Sequence, residues 1–522
     1  MSSTYTKRVE QLATSAASRS LRGGLKGLEK ESLRISRDGE IAQTPHPESW
    51  GAPLTHPYIT TDYSEALPEL ITPAFADTED TLRFLHELHH YLYRHLSDDE
   101  LLWAASMPCA VADDSRIPIA EYGSSNVGQM KHIYRVGLDY RYGRRMQAIA
   151  GVHFNYSLPT QFWSQYESIA DKPERDQAFI DACYFDLIRN FKRLGWLVPF
   201  LFGNSPAVCK TFLAGRTTRF KALSRGTYHL PFATSLRMSD IGYKNKNQSA
   251  LHVSYDSLGD YVNSLNSALV TPYPEYEAIG LHDGEQRVQL STNVLQIENE
   301  YYSFIRPKRT AHAMERPTTA LSRRGVEYVE VRALDVNCLD PVGVDIDQLR
   351  FLEAFLIYCL LLDSPKHSEQ ELREIEYNEL TVALRGRTPE LTLVDSGQWR
   401  DIWHWARAIC DELIPICEFL DDGQDGARYA AAVNRQISAI ENPEQLPAAQ
   451  ILHSLSNGGI EFHNYIMQLS ADYAARFRNT PEPPAREQQF QEIATRSRAD
   501  QTELESTDNE SLDDYIARYL AS

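Results

Sequence analysis

GGLKGLEKESLRIS, residues 23–36, places Leu25, Glu29, Glu31, Leu33 and Ile35 at odd positions. Side chains of a strand alternate faces with period two, so Glu29 and Glu31 are expected about 6–7 Å apart, on one face with three aliphatics. The pattern recurs. GVHFNYSL (151–158) sets His153, Asn155 and Ser157 against Val152, Phe154, Tyr156 and Leu158. NVLQIENEYY (293–302) sets Gln296, Glu298 and Glu300 against Leu295 and Ile297. VEYVEVRALD (326–335) sets Tyr328, Glu330 and Arg332 against Val329, Val331 and Ala333. Each segment is predicted to be a strand with one core face and one face crowded with carboxylates and a few cations. Glutamate is a poor strand former, and clustered carboxylates repel unless a cation neutralises them. Divalent metals are the simplest such cations.

The 522 residues suffice for several domains or for one large sheet enzyme. A hydrophobic fraction of 42% and a charged fraction of 24% are ordinary for a globular chain. A net charge of -20 and a pI near 5.3 argue against nucleic-acid binding, which needs a basic footprint, and against an anionic membrane surface. No run approaches the ~18–20 apolar residues of a membrane span, and the first residues lack the apolar region of a secretory signal. The seven cysteines are scattered and form no CxxC, which points to a reducing cytoplasm.

Between these strands, YITTDYSEALPELITP (58–73) reads as another polar-faced strand. Helices are predicted from Thr78, as cap, to about Leu96, over Asp181–Arg193 and over Asp345–Leu362, with a helical hairpin from about Trp399 to Ile440 broken at Asp421-Asp422-Gly423. After Arg478 the chain turns Pro-rich, polar and acidic. The expected organisation is one unit over 1–478, sheet-rich to about 345 and helical after, with a tail over 479–522 unable to bury a core alone. The strands keep no βαβ rhythm, so the fold class is α+β with a largely antiparallel sheet backed by helices.

Magnesium takes oxygen ligands, usually one or two carboxylates per ion plus substrate phosphates. Glu29, Glu31, Glu65, Glu69, Glu298, Glu300 and Glu330 offer such a face, with His153 as a further ligand or donor. A solvated outer face would alternate in the same way, but it would mix Lys, Thr and Ser rather than concentrate acids. The IRPKR run (305–309) follows directly on one carboxylate segment, and Arg237, Lys244 and Lys246 sit in a Ser/Asn/Gly-rich stretch. Cations beside metals suit a polyphosphate, whose transfer rests on positioning and charge neutralisation. HELHH (86–90) satisfies the zinc-peptidase pattern HExxH. Its histidines, however, lie on the flank of a leucine stripe formed by Leu82, Leu85, Leu88, Leu92 and Leu96, as in a half-buried helix. No P-loop, GxGxxG turn or GxSxG elbow occurs.

Seven ordered blocks, GLEKESLRI, ITTDYSEALPELITP, YGSSNVGQMKHIYRVGL, RYGRRMQAIAGVHFNYSLP, LPFATSLRMSDIGYKNKNQS, LQIENEYYSFIRPKR and GVEYVEVRALDVN, resemble bacterial glutamate–cysteine ligases of the proteobacterial class. The resemblance runs from about residue 20 to 345 and continues more weakly to near 475. It implies a glutamine-synthetase-like sheet that binds ATP, glutamate and divalent ions (Mg2+ or Mn2+) and makes γ-glutamylcysteine, the first step of glutathione synthesis. It implies metal-holding roles for Glu29, Glu31, Glu69 and Glu330, with Asp62 and Glu65 beside them. His153 falls at the glutamate/metal site next to Asn155. Arg237 and Arg332 fall where substrate carboxylate and phosphoryl group are bound, and Arg306, Lys308 and Arg309 where the nucleotide is. Tyr134, Tyr243 and Tyr302 fall near the cysteine pocket with Gln147 and Ile149 adjoining. Tyr63 stands where a relative has phenylalanine. Small-molecule partners only are implied, namely glutamate, cysteine and ATP, together with glutathione feedback inhibition.

Overall fold

The computed structural model describes residues 3–109, 111, 113–213, 218–242, 251–481 and 484–522. Six strands build its main sheet: β1 Leu25–Glu31, β2 Ile59–Thr61, β3 Pro68–Ile71, β4 Gly151–Ser157, β5 Ile305–Lys308 and β6 Tyr328–Asp335. They lie in the order β5–β6–β4–β1–β3–β2, and every neighbouring pair is antiparallel. Pro307 is accommodated because β5 is an edge strand, where a missing N–H costs no ladder bond. The predicted strand over 58–73 is two short strands, with Asp62, Tyr63 and Glu65 in the turn between them.

Nine helices matter below: α1 Thr78–His95, α2 Asn126–Tyr142, α3 Asp176–Leu194, α4 Ile346–Leu361, α5 Ile402–Asp421, α6 Arg428–Glu441, α7 Phe462–Asn479, α8 Pro484–Thr507 and α9 Leu512–Ala521. The predicted helices are found, although α1 is capped by Asp77, whose side chain accepts from the Glu79 N–H at 2.7 Å, rather than by Thr78. Asp345 caps α4 in a reciprocal pair with Gln348, which satisfies two otherwise orphaned backbone donors. α4 is buried nearly all round and packs against α3, α5 and α6.

The core face of the sheet carries Leu28, Val152, Phe154, Tyr156, Val329, Val331 and Ala333, all nearly inaccessible. On β1 this face differs from the expectation, because it also carries Lys26 and Lys30. Lys26 pairs with Glu353 of α4 at 3.0 Å, both fully buried; an unpaired charge there would cost several kcal/mol. Burial pushes the Lys30 ammonium down to about 7, and it bonds to Ser32 and lies 3.3 Å from His89 of α1. Leu33 and Ile35 do not share the Glu29 face, since β1 ends at Glu31 and residues 34–36 pair elsewhere, with 100–102.

The segment predicted as a strand over 293–302 is instead a single 3-10 turn at Glu298–Glu300. Beyond α7 the tail carries α8 over Pro484–Thr507 and α9 over Leu512–Ala521. Their few apolar side chains are borrowed into neighbouring cores, Phe490 and Ala494 beside α1, and Tyr515 and Ile516 beside α2. Cys109 and Cys209 are joined by a disulfide, and the other five cysteines are buried thiols. Among the described residues, no helix is long and apolar enough to cross a membrane.

Candidate active site

The strand register assembles the site. Glu29 lies opposite His153, Glu31 opposite Glu69, and Glu330 opposite both Asn155 and Arg306. Direct cross-strand partners share a face at about 4.5–5.5 Å, so acids from β1, β3 and β6 meet one histidine and the cations of the β5 edge. A Cβ at Gly151, the start of β4, would fall 2.2 Å from the Arg237 guanidinium, so a larger residue there would have to displace that side chain. The Gly151 N–H donates to Glu31 at 2.7 Å.

This face floors a cavity of about 410 Å³ whose roof is α2, the 290–302 segment and α9. Glu29 accepts from Asn155 and lies 3.0 Å from His153 Nδ1. Glu330 accepts from Lys308 at 3.0 Å and from Arg332 at 3.1 Å. Donor atoms of Glu29, Glu69 and His153 converge within 4.8 Å.

The charges divide into two kinds. Burial alone would raise the Glu29 carboxyl, but the His153 hydrogen bond and the Lys308 ammonium outweigh it and leave Glu29 below its ordinary value. Burial is likewise overcome at Glu330 by Lys308 and Arg332, which hold it ionised. At Glu31, burial and then the Asp62 charge push the carboxyl up to about 8. Glu69 is raised well above its ordinary value by burial and by Glu29. His153 is held neutral by burial and Arg332; with Nδ1–H donating to Glu29, its Nε2 remains an acceptor 3.9 Å from Glu31. Carboxylates that keep their protons beside ionised ones are what a cation site looks like without its cation. The oxygen-rich donor set fits a divalent ion.

Of the residues singled out in the sequence, Glu29, Glu31, Asp62, Glu69, Glu330, His153, Arg332, Arg306, Lys308, Tyr63, Tyr134, Gln147 and Tyr302 line the cavity. The Tyr63 hydroxyl is buried with no hydrogen-bond partner among the described residues. Asn155 stands just behind Glu29. Arg237 is buried behind the β4–β6 end, donating to the Arg332 carbonyl at 3.1 Å. Ile149 is buried outside the lining. Glu65 points away, its carboxylate accepting from the N–H groups of His46 and Glu121 at 2.7 and 3.0 Å. Arg309, one residue past β5, is spent on the Gly325 and Arg324 carbonyls. Tyr243, Lys244 and Lys246 lie outside the described residues.

Glu298 and Glu300 leave the strand face with the lost strand, although Glu300 still lines the cavity. Arg316 neutralises Glu298 at 3.0 Å, and Arg141 neutralises Glu300 at 3.0 Å. The HExxH histidines of α1 build no metal centre. His86, His89 and His90 surround the Phe477 ring of α7, and Glu87 pairs with Arg486 at 2.9 Å. Among the described residues, Glu29, Glu69 and His153 are the only group of three or more potential ligands that converges.

A family model described as Glutamate-cysteine ligase matches residues 9–382. The chain belongs to the glutamate–cysteine ligase family. Within it, a glutamate–cysteine ligase from Alcanivorax borkumensis is 45% identical over 519 residues, 98% of this chain and 99% of that protein. One from Pseudomonas aeruginosa is 43% identical over 522 residues, 100% and 99% of the two chains. The solved glutamate–cysteine ligase of Francisella tularensis, in complex with AMP, superposes with a TM-score of 0.90 at 36% identity, covering 96% of this chain and 98% of that one. A bifunctional glutathione synthetase from Pasteurella multocida shares the fold at a TM-score of 0.70 and 24% identity over 88% of this chain and 53% of that one. The α+β, glutamine-synthetase-like sheet backed by helices is therefore the architecture of the glutamate–cysteine ligase family.

Two cavity features of this family member escape the sequence reading. Lys131 and Arg135 of α2 line the cavity one turn apart, and the i, i+3, i+4 spacing of Lys131, Tyr134 and Arg135 would have revealed a shared face. Tyr519 of α9 also lines it. Its signal is the apolar stripe Leu512, Tyr515, Ile516, Tyr519 and Leu520, hidden in an acidic tail.

Proposed function

We infer that the protein is an ATP-dependent carboxylate–amine ligase. It joins the γ-carboxylate of L-glutamate to the α-amine of L-cysteine through γ-glutamyl phosphate, giving γ-glutamylcysteine, ADP and phosphate, the first step of glutathione biosynthesis. The observation that carries this reading is one cavity floored by four glutamates, Glu31 and Glu330 buried and Glu29 and Glu69 half-buried, that is also lined by Arg306, Lys308 and Arg332. Full-length likeness to glutamate–cysteine ligases supports the same reaction.

A carboxylate does not acylate an amine near neutral pH, so the γ-carboxylate first attacks the terminal phosphorus of ATP and ADP leaves. The cysteine amine then attacks the acyl carbon, phosphate departs, and the amine loses a proton. Arg332, Lys308 and Arg306 neutralise charge on the transferred group. Neutral His153 and Asn155 fix the Glu29 carboxylate. Tyr63, Tyr134, Gln147 and Tyr302 form the acceptor end, where the Tyr63 hydroxyl lacks a partner until substrate supplies one. Glu29, Glu31, Glu69 and Glu330, with Asp62, would hold magnesium or manganese, which when bound screens the phosphates from the attacking carboxylate. Arg237 acts from behind, through the Arg332 backbone and the Glu31 charge.

Residues 1–478 form the proposed catalytic unit, with 479–522 attached to it. The pathway sets the cytoplasm as the working compartment. Glutathione, which carries the same γ-glutamyl group, is the proposed feedback inhibitor at the glutamate site. ADP release from ATP plus glutamate tests the function, with and without cysteine, in magnesium and then in EDTA. Release that needs both cysteine and magnesium, with γ-glutamylcysteine as product, is expected. Release that ignores cysteine but responds to another amine would change the acceptor, and none under any condition would overturn the ligase.

A further inference from the structure

The last helix reaches the substrate cavity from the far end of the chain. α9 starts at Ser511, whose hydroxyl accepts from the Asp514 N–H at 3.2 Å, and lays Tyr515 and Ile516 against Met130 and Ile133 of α2 and against Leu290. These side chains make a small core separate from the main one. Polar contacts clamp both ends. Asn126 Nδ2 donates to the Glu510 carbonyl at 3.0 Å, Arg316 to the Leu520 carbonyl at 3.2 Å, and the Thr319 hydroxyl to the Ser522 carbonyl at 2.9 Å. The helix is thus held at both ends, and the half-buried Tyr519 ring forms part of the cavity wall.

Tyr519 groups there with the apolar Met130, Leu290 and Ile297, which line the cavity with it, and the Glu298–Arg316 pair lies close by. Glutamate and cysteine are small zwitterions with no flat apolar surface to place there. The purine base of ATP has one, and bases stack on aromatic rings without needing a hydrogen-bond code. The wall is also tied to the cationic edge of the sheet. Arg316, which holds α9, pairs with Glu298 at 3.0 Å, and the next residue, Asn299, receives Arg306 on its carbonyl at 3.1 Å. Arg306, Lys308 and Tyr519 line the same cavity, so a nucleotide whose phosphates sit on the two cations has the Tyr519 wall within that cavity for its base.

We propose that α9 completes the nucleotide subsite, with the Tyr519 ring packing against the purine base. This rests on the ligase reading only in taking ATP as the substrate that enters the cavity. It makes the acidic tail a working part of the site.

The test uses the full-length protein and two readouts: calorimetric titration with AMP and with Mg-ADP, and KM for each of ATP, glutamate and cysteine. Tyr519→Ala is expected to weaken AMP and ADP about 10-fold and raise the ATP KM similarly, as expected for one lost stacking contact, with the two amino-acid KM values within twofold. Tyr519→Phe keeps the ring and stays near the parent. Arg518→Ala, on the same helix but exposed and paired with Glu510, changes neither readout. Should Tyr519→Ala melt early, Tyr519→Leu keeps bulk without the flat ring and is expected to show the same nucleotide defect. Nucleotide affinity and ATP KM within twofold of the parent in both variants would overturn the proposal, as would a rise in the cysteine KM instead. A parent that binds nucleotide but ligates nothing would sink the ligase reading and leave the titration to decide this one.

Discussion

The carboxylate face of the sheet and the histidine-rich helix α1 (Thr78–His95) draw on the same residue types, glutamate and histidine at short spacings, and come to opposite ends. On the sheet, cross-strand register brings Glu29, Glu31, Glu69 and Glu330 to one cavity beside His153, Lys308 and Arg332. Burial and neighbouring carboxylates push the Glu31 and Glu69 carboxyls up, which suits the cation site proposed there. On α1, the HExxH histidines His86 and His90 pack around Phe477 together with His89, and burial lowers all three below their ordinary value. His86 is pushed down to about 4 by burial and Arg476, and His89 lies well below its ordinary value through burial and Lys30. Metal binding follows from donors that converge on open space, which a linear spacing alone does not provide.

The largest break in this contrast comes from Glu29→Gln. It removes a charge from the face and no core contact, so turnover is expected to fall about 100-fold or more while circular dichroism and melting temperature stay near the parent. Near-normal activity at low magnesium would dissolve the contrast. Arg332→Lys comes next. A planar guanidinium becomes a point charge, and kcat should fall roughly 10-fold, with glutamate and cysteine KM little changed; an unchanged kcat would take Arg332 off the phosphoryl group.

The helix side is sharpened by pH. Histidines whose folded value lies below about 6.5 bind protons more readily when unfolded, so their contribution is complete above pH 6.5 and is lost as pH falls toward about 4. His86 alone should cost roughly 2 kcal/mol between pH 7 and 5, and the acid loss measured by urea unfolding should shrink by that amount in His86→Gln. An equal loss in both proteins would mean the ring is not buried neutral. The smallest effect is expected of His86→Ala on ligation at pH 7.5, within twofold of the parent and unresponsive to added zinc. Activity lost with His86 and restored by zinc would move the chemistry to α1.

Much of the sheet was readable because β1, β4 and β6 each alternate over seven or eight residues, long enough for period two to be unambiguous. The same pattern at Gln296, Glu298 and Glu300 misled. Over five residues it also fits a 3-10 turn, and the arginines that neutralise these acids, Arg316 and Arg141, come from other segments of the chain. Lys26 and Lys30 were unreadable as core residues for the same reason, since their partners Glu353 and His89 lie on distant helices. Glu65 and Arg309 sit beside true cavity residues in sequence, yet strand ends and turns rotate them onto backbone groups. The role of α9 was masked by composition: five apolar residues in an acidic tail form a stripe only once the helix is drawn.

The most direct test of the central claim is a manganese titration followed by electron paramagnetic resonance of free Mn2+, run on the parent and on Glu29→Gln. Saturable binding by the parent and a clear loss of bound Mn2+ in the variant are predicted. Equal binding by the two proteins would contradict a metal site on the Glu29 face.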